Sequence, residues 1–296
     1  MSVATLCATM GITRQAYYQD RQRRAAEQTR DARVLSLAKM IRRRHPRMGT
    51  RKLLVRMRPQ LEQEGLRIGR DQLFDILRAE GLLVPRKRQA RRTTWAGTLR
   101  VPNRVAGLQV DRVNQVWVTD ITYLALQNGR FVYLFVVMDL FSRAILGAEL
   151  SPTLEAQGAL EALEHAATRA GGSLRGLIHH SDHGVQYTCH AYQRWLTGQG
   201  ITASMGEVGN SYDNAYAERV IGILKHEYTL DLAFVDAAQA RRLASEGVYL
   251  YNYERPHQAR AYAYPMDIYQ GRTAAEPFTV YQYTPPGSER SASDAN

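Results

Sequence analysis

Apolar positions between residues 31 and 83 recur at intervals of three and four. In "DARVLSLAKMIRRRH", Val34, Leu37, Ala38 and Ile41 share one helical face, and Pro46 stops the pattern. "GTRKLLVRMRPQLEQEG" predicts a second helix that Pro59 kinks or divides, and "GRDQLFDILRAEGLL" a third, closed by Gly81. Ahead of these, "TLCATMGITRQAYYQDRQRR" reads as helix, Gly11 turn, helix, with Thr13 as N-cap and Arg14, Gln15 and Tyr18 presented by the second helix. The N-terminal region is therefore all-α, with a helix-turn-helix-like segment over residues 1–30 and a small three-helix DNA-binding domain over residues 31–85.

From Gln115 the period shortens. "QVWVTDITYLAL" and "RFVYLFVVMDL" are β-branched and aromatic, and the Asn128-Gly129 pair between them is a strong hairpin signal. A two-residue loop there would pair position 120 with 137 and leave Asp139 diagonal to Asp120 on the same face. "AILGAEL" supplies a third strand. A helix near 154–168, a strand at "GLIHH", a helix near 190–196, a strand at "ITASM" and a helix starting near Asp213 follow. This order predicts an α/β fold with a mixed sheet over residues 111–275. Residues 86–110 read as a linker and 276–296 as a flexible tail, ending in the low-complexity "PPGSERSASDAN".

Charge divides the chain at the same place. Residues 1–110 carry 25 Lys and Arg against 8 Asp and Glu; the remaining residues carry 14 against 20. Dense runs such as "IRRRH" and "PRKRQARR" point to a polyanion, because each neutralised phosphate releases condensed counterions. Candidate DNA contacts are Arg14, Arg70 and Arg78 on helices and Arg86, Lys87, Arg88, Arg91 and Arg92 in the linker; the bland reading is a solvated surface. Two cysteines and no C-x-x-C suit a reducing compartment. No apolar run reaches the roughly 18 residues of a membrane span, and the first residues lack the order of a secretory leader. Together these predict a cytoplasmic protein.

Three carboxylates stand out. Asp120 lies within the strand "WVTDITY", where a charge must gain a partner or pay for desolvation. Asp182 follows "GLIHH", at the carboxyl edge where open α/β sheets place ligands. Glu218 opens the helix in "NSYDNAYAERVIGILKHE". Each has a structural reading as well: a local hydrogen bond for Asp120, a turn for Asp182, the helix dipole for Glu218. Zinc at His179, His180 and His183 is disfavoured, since adjacent strand residues point to opposite faces. Ser181 lacks the G-x-S-x-G elbow of a nucleophile.

Asp182 and Glu218 are separated by 35 residues, and Lys225 follows Glu218 by seven, about two helical turns. With the words "WVTDITY", "MDLFSR", "HHSDHGVQY", "GNSYDNAYAE", "LKHE" and "YNYERPH", the chain resembles the DDE transposases of the insertion-sequence-three family over roughly residues 1–270. The resemblance implies a ribonuclease H-like five-stranded core in which Asp120, Asp182 and Glu218 hold two Mg²⁺ ions, with Mn²⁺ able to substitute. It implies cleavage and strand transfer at the ends of an insertion sequence, on duplex DNA comprising terminal repeats and target. Lys225 would contact the element end; Asn214 and His183 are further DNA candidates, and Asp213 and Asn214 candidate helix caps. Arg255 and His257 are weaker phosphate candidates, and Asp139 a competitor for the metal site.

A homodimer or larger oligomer follows from joining two ends. The absence of a heptad run suggests a downstream-frame catalytic protein that works with an upstream-frame helix-turn-helix and leucine-zipper protein or fusion. Gly206 and Arg219 depart from the family words, where serine is expected, without removing a carboxylate. Two rival readings are a DNA-binding regulator or inactive relic, and a ribonuclease H-like nuclease without strand transfer.

Overall fold

The computed structural model describes residues 2–85, 101–206 and 214–281. Arg86, Lys87, Arg88, Arg91, Arg92, Asp213 and the "PPGSERSASDAN" segment lie outside the described residues. The chain forms two compact units, residues 1–87 and 88–296.

In the first unit, Ser2 caps α1 (Val3–Thr9) and Thr13 caps α2 (Arg14–Arg44), whose Oγ1 accepts the Ala16 N–H at 3.0 Å. Gly11, at φ +66°, makes the turn between them. α2 continues unbroken past the boundary expected at residue 30. The stretch after Tyr18 contains no glycine or proline, and Asp20 bridges Arg23 and Arg24 one turn on. Only its second half has a buried face: Val34, Leu37 and Ala38 pack with Leu53, Met57 and Leu61 of α3 (Thr50–Gln63) and Leu73 and Leu77 of α4 (Arg70–Ala79). Pro59 is exposed and α3 runs through it undivided.

The second unit is built on a five-stranded sheet in the order β4-β3-β2-β5-β6. β2 (Val116–Ala125), β3 (Phe131–Asp139) and β4 (Ile145–Ser151) form an antiparallel meander; β5 (Ile178–Ser181) runs parallel to β2, and β6 (Thr202–Met205) parallel to β5. Alternation along β2 sends Val116 and Val118 to one face and Trp117 to the other. The Val118 face carries α8 (Ala215–Glu227) and α9 (Ala237–Tyr253); the Trp117 face carries α5 (Ala156–Ala170), the short α6 (Val185–Thr188) and α7 (His190–Gly198). The sheet is thus covered on both sides, as the mixed order of strands and helices predicts. β4 and α5 approach so closely that a Cβ on Gly147 would fall 1.8 Å from the Ala162 carbonyl oxygen.

Two sequence expectations are corrected here. The β2–β3 loop has three residues, not two: the Leu126 N–H donates to the Arg130 carbonyl at 2.8 Å and Gly129 sits at φ +80°. Asp120 therefore pairs with Val136, and Asp139 pairs with Trp117. A one-residue change of register moves side chains to the opposite face, so Asp139 lies across the sheet from Asp120. It is fully buried as a turn former, accepting the Asn114 N–H at 2.7 Å and the Ser142 N–H and hydroxyl at 2.7 and 2.6 Å.

The segments taken for linker and tail also contribute to the fold. β1 (Gln109–Val110) pairs with β7 (Phe278–Thr279), which follows α10 (Pro265–Tyr269), and Val110 and Val280 are buried in the core. Strands this short carry no period for a sequence reading to detect. No helix among the described residues is long and apolar enough to cross a membrane.

Candidate active site at the carboxyl edge of the sheet

Register brings the first two carboxylates together. Val118 on β2 lies beside His180 on the parallel β5. Beyond that last pair Asp120 continues β2, on the face that α8 covers, and Asp182 follows the end of β5, near enough for its charge to act on Asp120. Glu218 sits in the first turn of α8, where the helix N-terminus favours a negative charge. Asp120 Oδ1 accepts the Ile121 N–H at 2.8 Å, and Asp182 Oδ1 accepts the Gly184 N–H at 2.9 Å. The local bonds anticipated for both aspartates are therefore present alongside the clustering. A Cβ on Gly184 would sit 2.9 Å from Asp182 Oδ1, so glycine is what leaves this carboxylate its position.

The electrostatics record the clustering. The Asp120 carboxyl is pushed up to about 8, first by burial and then by the charge of Asp182, with Glu218 adding to it; the Ile121 N–H and Lys225 pull the other way. Lys225, partly buried two turns beyond Glu218, is lowered by burial, while Asp120 and Asp231 oppose that shift. Among the described residues no three His, Cys, Asp or Glu side chains are close enough to hold one ion together. The three carboxylates act on one another through charge without closing into a ligand shell. Their chemistry fits a hard divalent cation: all donors are oxygen, negative charge is in excess, and one acid cannot readily ionise without a counter-charge.

The histidines divide as adjacent strand residues must. The His179 Nε2 lies 3.0 Å from the Tyr192 hydroxyl beneath one face, and burial lowers its pKa to about 3. The His180 Nδ1 lies 2.9 Å from Ser204 Oγ. Ser181 is buried, its hydroxyl donating to the Asp182 carbonyl at 2.8 Å. His183 is partly buried beside Asp182. Asn214 is buried at the N-cap position of α8, where its carbonyl accepts the Glu218 N–H at 3.1 Å but its side chain makes no capping bond. Its Nδ2 donates to the Thr119 carbonyl at 3.3 Å, tying the helix to β2 next to Asp120.

Sequence reading missed Thr119 and Tyr187, which underlie the site: their oxygens are 3.4 Å apart, and burial followed by the charges of Asp182 and Asp120 raises the Tyr187 phenol. The closing tyrosine of "HHSDHGVQY" was the available signal.

Three further candidates belong to the first unit. Arg14 is exposed at the head of α2; Arg70 and Arg78 are exposed on α4, each bonded to an aspartate of its own helix, Asp71 and Asp75. Arg255 is not a free phosphate contact: it is buried in a two-pronged ion pair with Glu227 at 2.8 and 3.0 Å.

Two integrase core domain models match the chain, over residues 110–211 and 199–265. The transposase for insertion sequence element IS629 of Shigella sonnei is 35% identical over 232 residues, covering 75% of this chain and 76% of that protein. Transposase InsF for insertion sequence IS3A of Escherichia coli K12 is 43% identical over 114 residues, covering 38% and 39%. Among solved structures, the HTLV-2 integrase catalytic core domain in complex with magnesium aligns at 18% identity and a TM-score of 0.42, covering 53% of this chain and 97% of that one.

Proposed function

The chain belongs to the insertion-sequence-three family of DDE transposases, and from that premise we propose that Asp120, Asp182 and Glu218 are the residues that carry its chemistry. The protein is a polynucleotidyl transferase of DNA transposition built on an integrase core. Such cores depend on a divalent metal. In our reading the ion is Mg²⁺, two of them, with Mn²⁺ able to replace it, held by the three carboxylates. When bound, they would neutralise charge on the attacking and leaving oxygens of an in-line displacement.

The reaction consists of two phosphoryl transfers. In the first, a water oxygen attacks phosphorus at the element end, the P–O3′ bond breaks, and a 3′-hydroxyl is released. In the second, that hydroxyl attacks a target phosphodiester, a new P–O bond forms, and the target's 3′-oxygen leaves. The chain's own residues prepare the site. The Ile121 and Gly184 N–H groups orient Asp120 and Asp182, and Asn214 holds the head of α8 to β2. Lys225 places a cation beside the carboxylates, suited to the phosphate of a bound DNA end; His183 is a second candidate contact.

The partner is duplex DNA, terminal repeat and target, engaged by at least two copies because two ends are joined together. An upstream-frame helix-turn-helix and leucine-zipper protein, separate or fused, would supply end recognition.

The observation that supports this reading is that Asp120 on β2, Asp182 just past the end of the parallel β5 and Glu218 at the head of α8 lie within electrostatic reach of one another. The test is nicking and joining of a supercoiled plasmid bearing the element ends, in Mg²⁺ and in EDTA, by wild type and Asp182→Asn. Metal-dependent joined products, lost in the variant, are expected. Nicks without joining would indicate a plain nuclease, and undiminished joining by Asp182→Asn would remove that residue from the site.

A further inference from the structure

Several words that mark the chain as a family member take no part in the carboxylate site. They converge instead on one ring. Arg143, from "MDLFSR", places its guanidinium 4.3 Å from the centroid of Tyr216 and 4.6 Å from that of Phe278. Arg260, just after "YNYERPH", lies 4.5 Å from Phe278 and 5.1 Å from Phe141. The Tyr216 and Phe278 rings are themselves 6.0 Å apart. Phe278 thus touches both arginines and the tyrosine, and it sits on β7, well beyond Arg143 and Tyr216 along the chain.

This arrangement is costly for mere packing. Arg143 and Arg260 are only 7% and 8% exposed. Arg143 Nη1 and Arg260 Nε and Nη2 are buried without a hydrogen-bond partner among the described residues. The carboxylate nearest in charge, Asp139, is already committed to Asn114 and Ser142. Arg143 is also held at φ +70°, where a non-glycine residue is rarely found. Arg260 Nη1 donates to the Glu276 carbonyl at 2.7 Å, and aromatic faces cover both guanidiniums, where cation–π attraction is strengthened by the exclusion of water. Strain and unpaired polar groups of this kind persist where the surroundings over-determine them, commonly beside functional sites.

The functional link is Tyr216. It lies in the first turn of α8, two residues before Glu218. Among the described residues, the buried Ala217 and the bond from Asn214 to Thr119 also attach that turn. We propose that Phe278, Arg143 and Arg260 are positioning residues for strand transfer: through Tyr216 they fix the head of α8, and with it Glu218, against the edge that carries Asp120 and Asp182. The inference rests on the assignment of Glu218 made above. It gives the C-terminal strand a part in catalysis although no residue of it reaches the carboxylates.

The test uses the full chain with Phe278→Leu, which keeps apolar bulk and removes the ring, and Phe278→Tyr, which keeps the ring. Two readouts are taken: hydrogen exchange, without metal or DNA, of the Glu218 amide, which bonds to the Asn214 carbonyl at 3.1 Å, and of the amides that follow it in α8, and the single-turnover rate and DNA half-saturation of joining in Mg²⁺. Phe278→Leu should speed exchange of the Glu218 amide and those just after it by about tenfold or more, leave β2 and β3 unchanged, and slow joining by a similar factor at unaltered DNA half-saturation; Phe278→Tyr should restore both. Unchanged exchange in a folded Phe278→Leu, or an equal loss in Phe278→Tyr, would overturn the proposal. If circular dichroism shows Phe278→Leu to be unfolded, Tyr216→Leu, which removes only the ring nearest Glu218, carries the same expectations and the same refutation. A Glu218→Gln control separates the two readings: full joining by that variant sinks the assignment of Glu218, whereas the exchange result bears on the clamp alone.

Discussion

Substituting Gly184 by alanine tests the site with a single methyl group. Gly184 has φ −56° and ψ 142°, a conformation any residue adopts, so alanine brings no backbone strain. Its Cβ would stand 2.9 Å from Asp182 Oδ1, 3.1 Å from Gln186 Oε1 and 3.4 Å from the Tyr187 ring. The ring is at ordinary contact distance and the glutamine oxygen is at the end of a flexible side chain. Asp182 must therefore move by roughly half an ångström to reach normal contact. A misplacement of about 1 Å at a reacting centre costs on the order of 100-fold in rate, so half that distance should cost about tenfold. Stability should fall by no more than about 1–3 kcal/mol, the usual range for overpacking. The assay is single-turnover joining of a prenicked element end at saturating Mg²⁺, with DNA affinity and thermal midpoint as controls. A folded, DNA-binding Gly184→Ala protein with a wild-type joining rate would refute the view that Asp182 acts from the position seen here.

Three further outcomes are expected. Arg51 and Arg58 are exposed on α3, in a stretch from Arg42 to Leu61 that contains no acidic residue; neutralising both to glutamine should lower the slope of log Kd against log salt by up to about two, read by fluorescence anisotropy on duplex DNA, while Arg70→Gln with Arg78→Gln should change it less. Because burial lowers the His179 pKa to about 3, the unfolded chain takes up a proton that the folded one refuses, and stability is present above pH 6.5 and lost as pH falls toward 3. At pH 4.5 the loss is about 2–3 kcal/mol; His179→Gln should remove that part of the acid sensitivity in urea titrations, and identical profiles for the two proteins would contradict it. Gly147→Ala drives a methyl into the Ala162 carbonyl and should destabilise by about 3 kcal/mol or more, seen as a lower thermal midpoint, since α5 must lift from β4 to accept it.

The sequence by itself determined much of this protein. The alternation in "QVWVTDITYLAL" and "RFVYLFVVMDL" and the three-and-four spacing around Leu37, Leu53 and Leu73 are local imprints of which faces are buried, and the strands and helices appear where those patterns lie. The candidate carboxylates were legible for the same kind of reason: an acid inside an apolar strand, another just past a strand, and a third at a helix start are anomalies visible without a fold.

What depended on separation in space was not legible. Whether Asp139 shares the face of Asp120 turned on one residue of loop length, and the Gly129 turn decided against it. The expected break in α2 at residue 30 ignored helix formers and Asp20 ion pairs that let the helix continue without a core beneath it. Arg255 looked like a free cation because Glu227, its partner, lies 28 residues away in sequence but directly across from it in the fold. Phe278 looked like the start of a tail because a two-residue strand has no period. Only tertiary packing could bring it against Arg143 and Arg260, since a ring and a guanidinium attract each other by contact and leave no trace of that contact in the order of the chain.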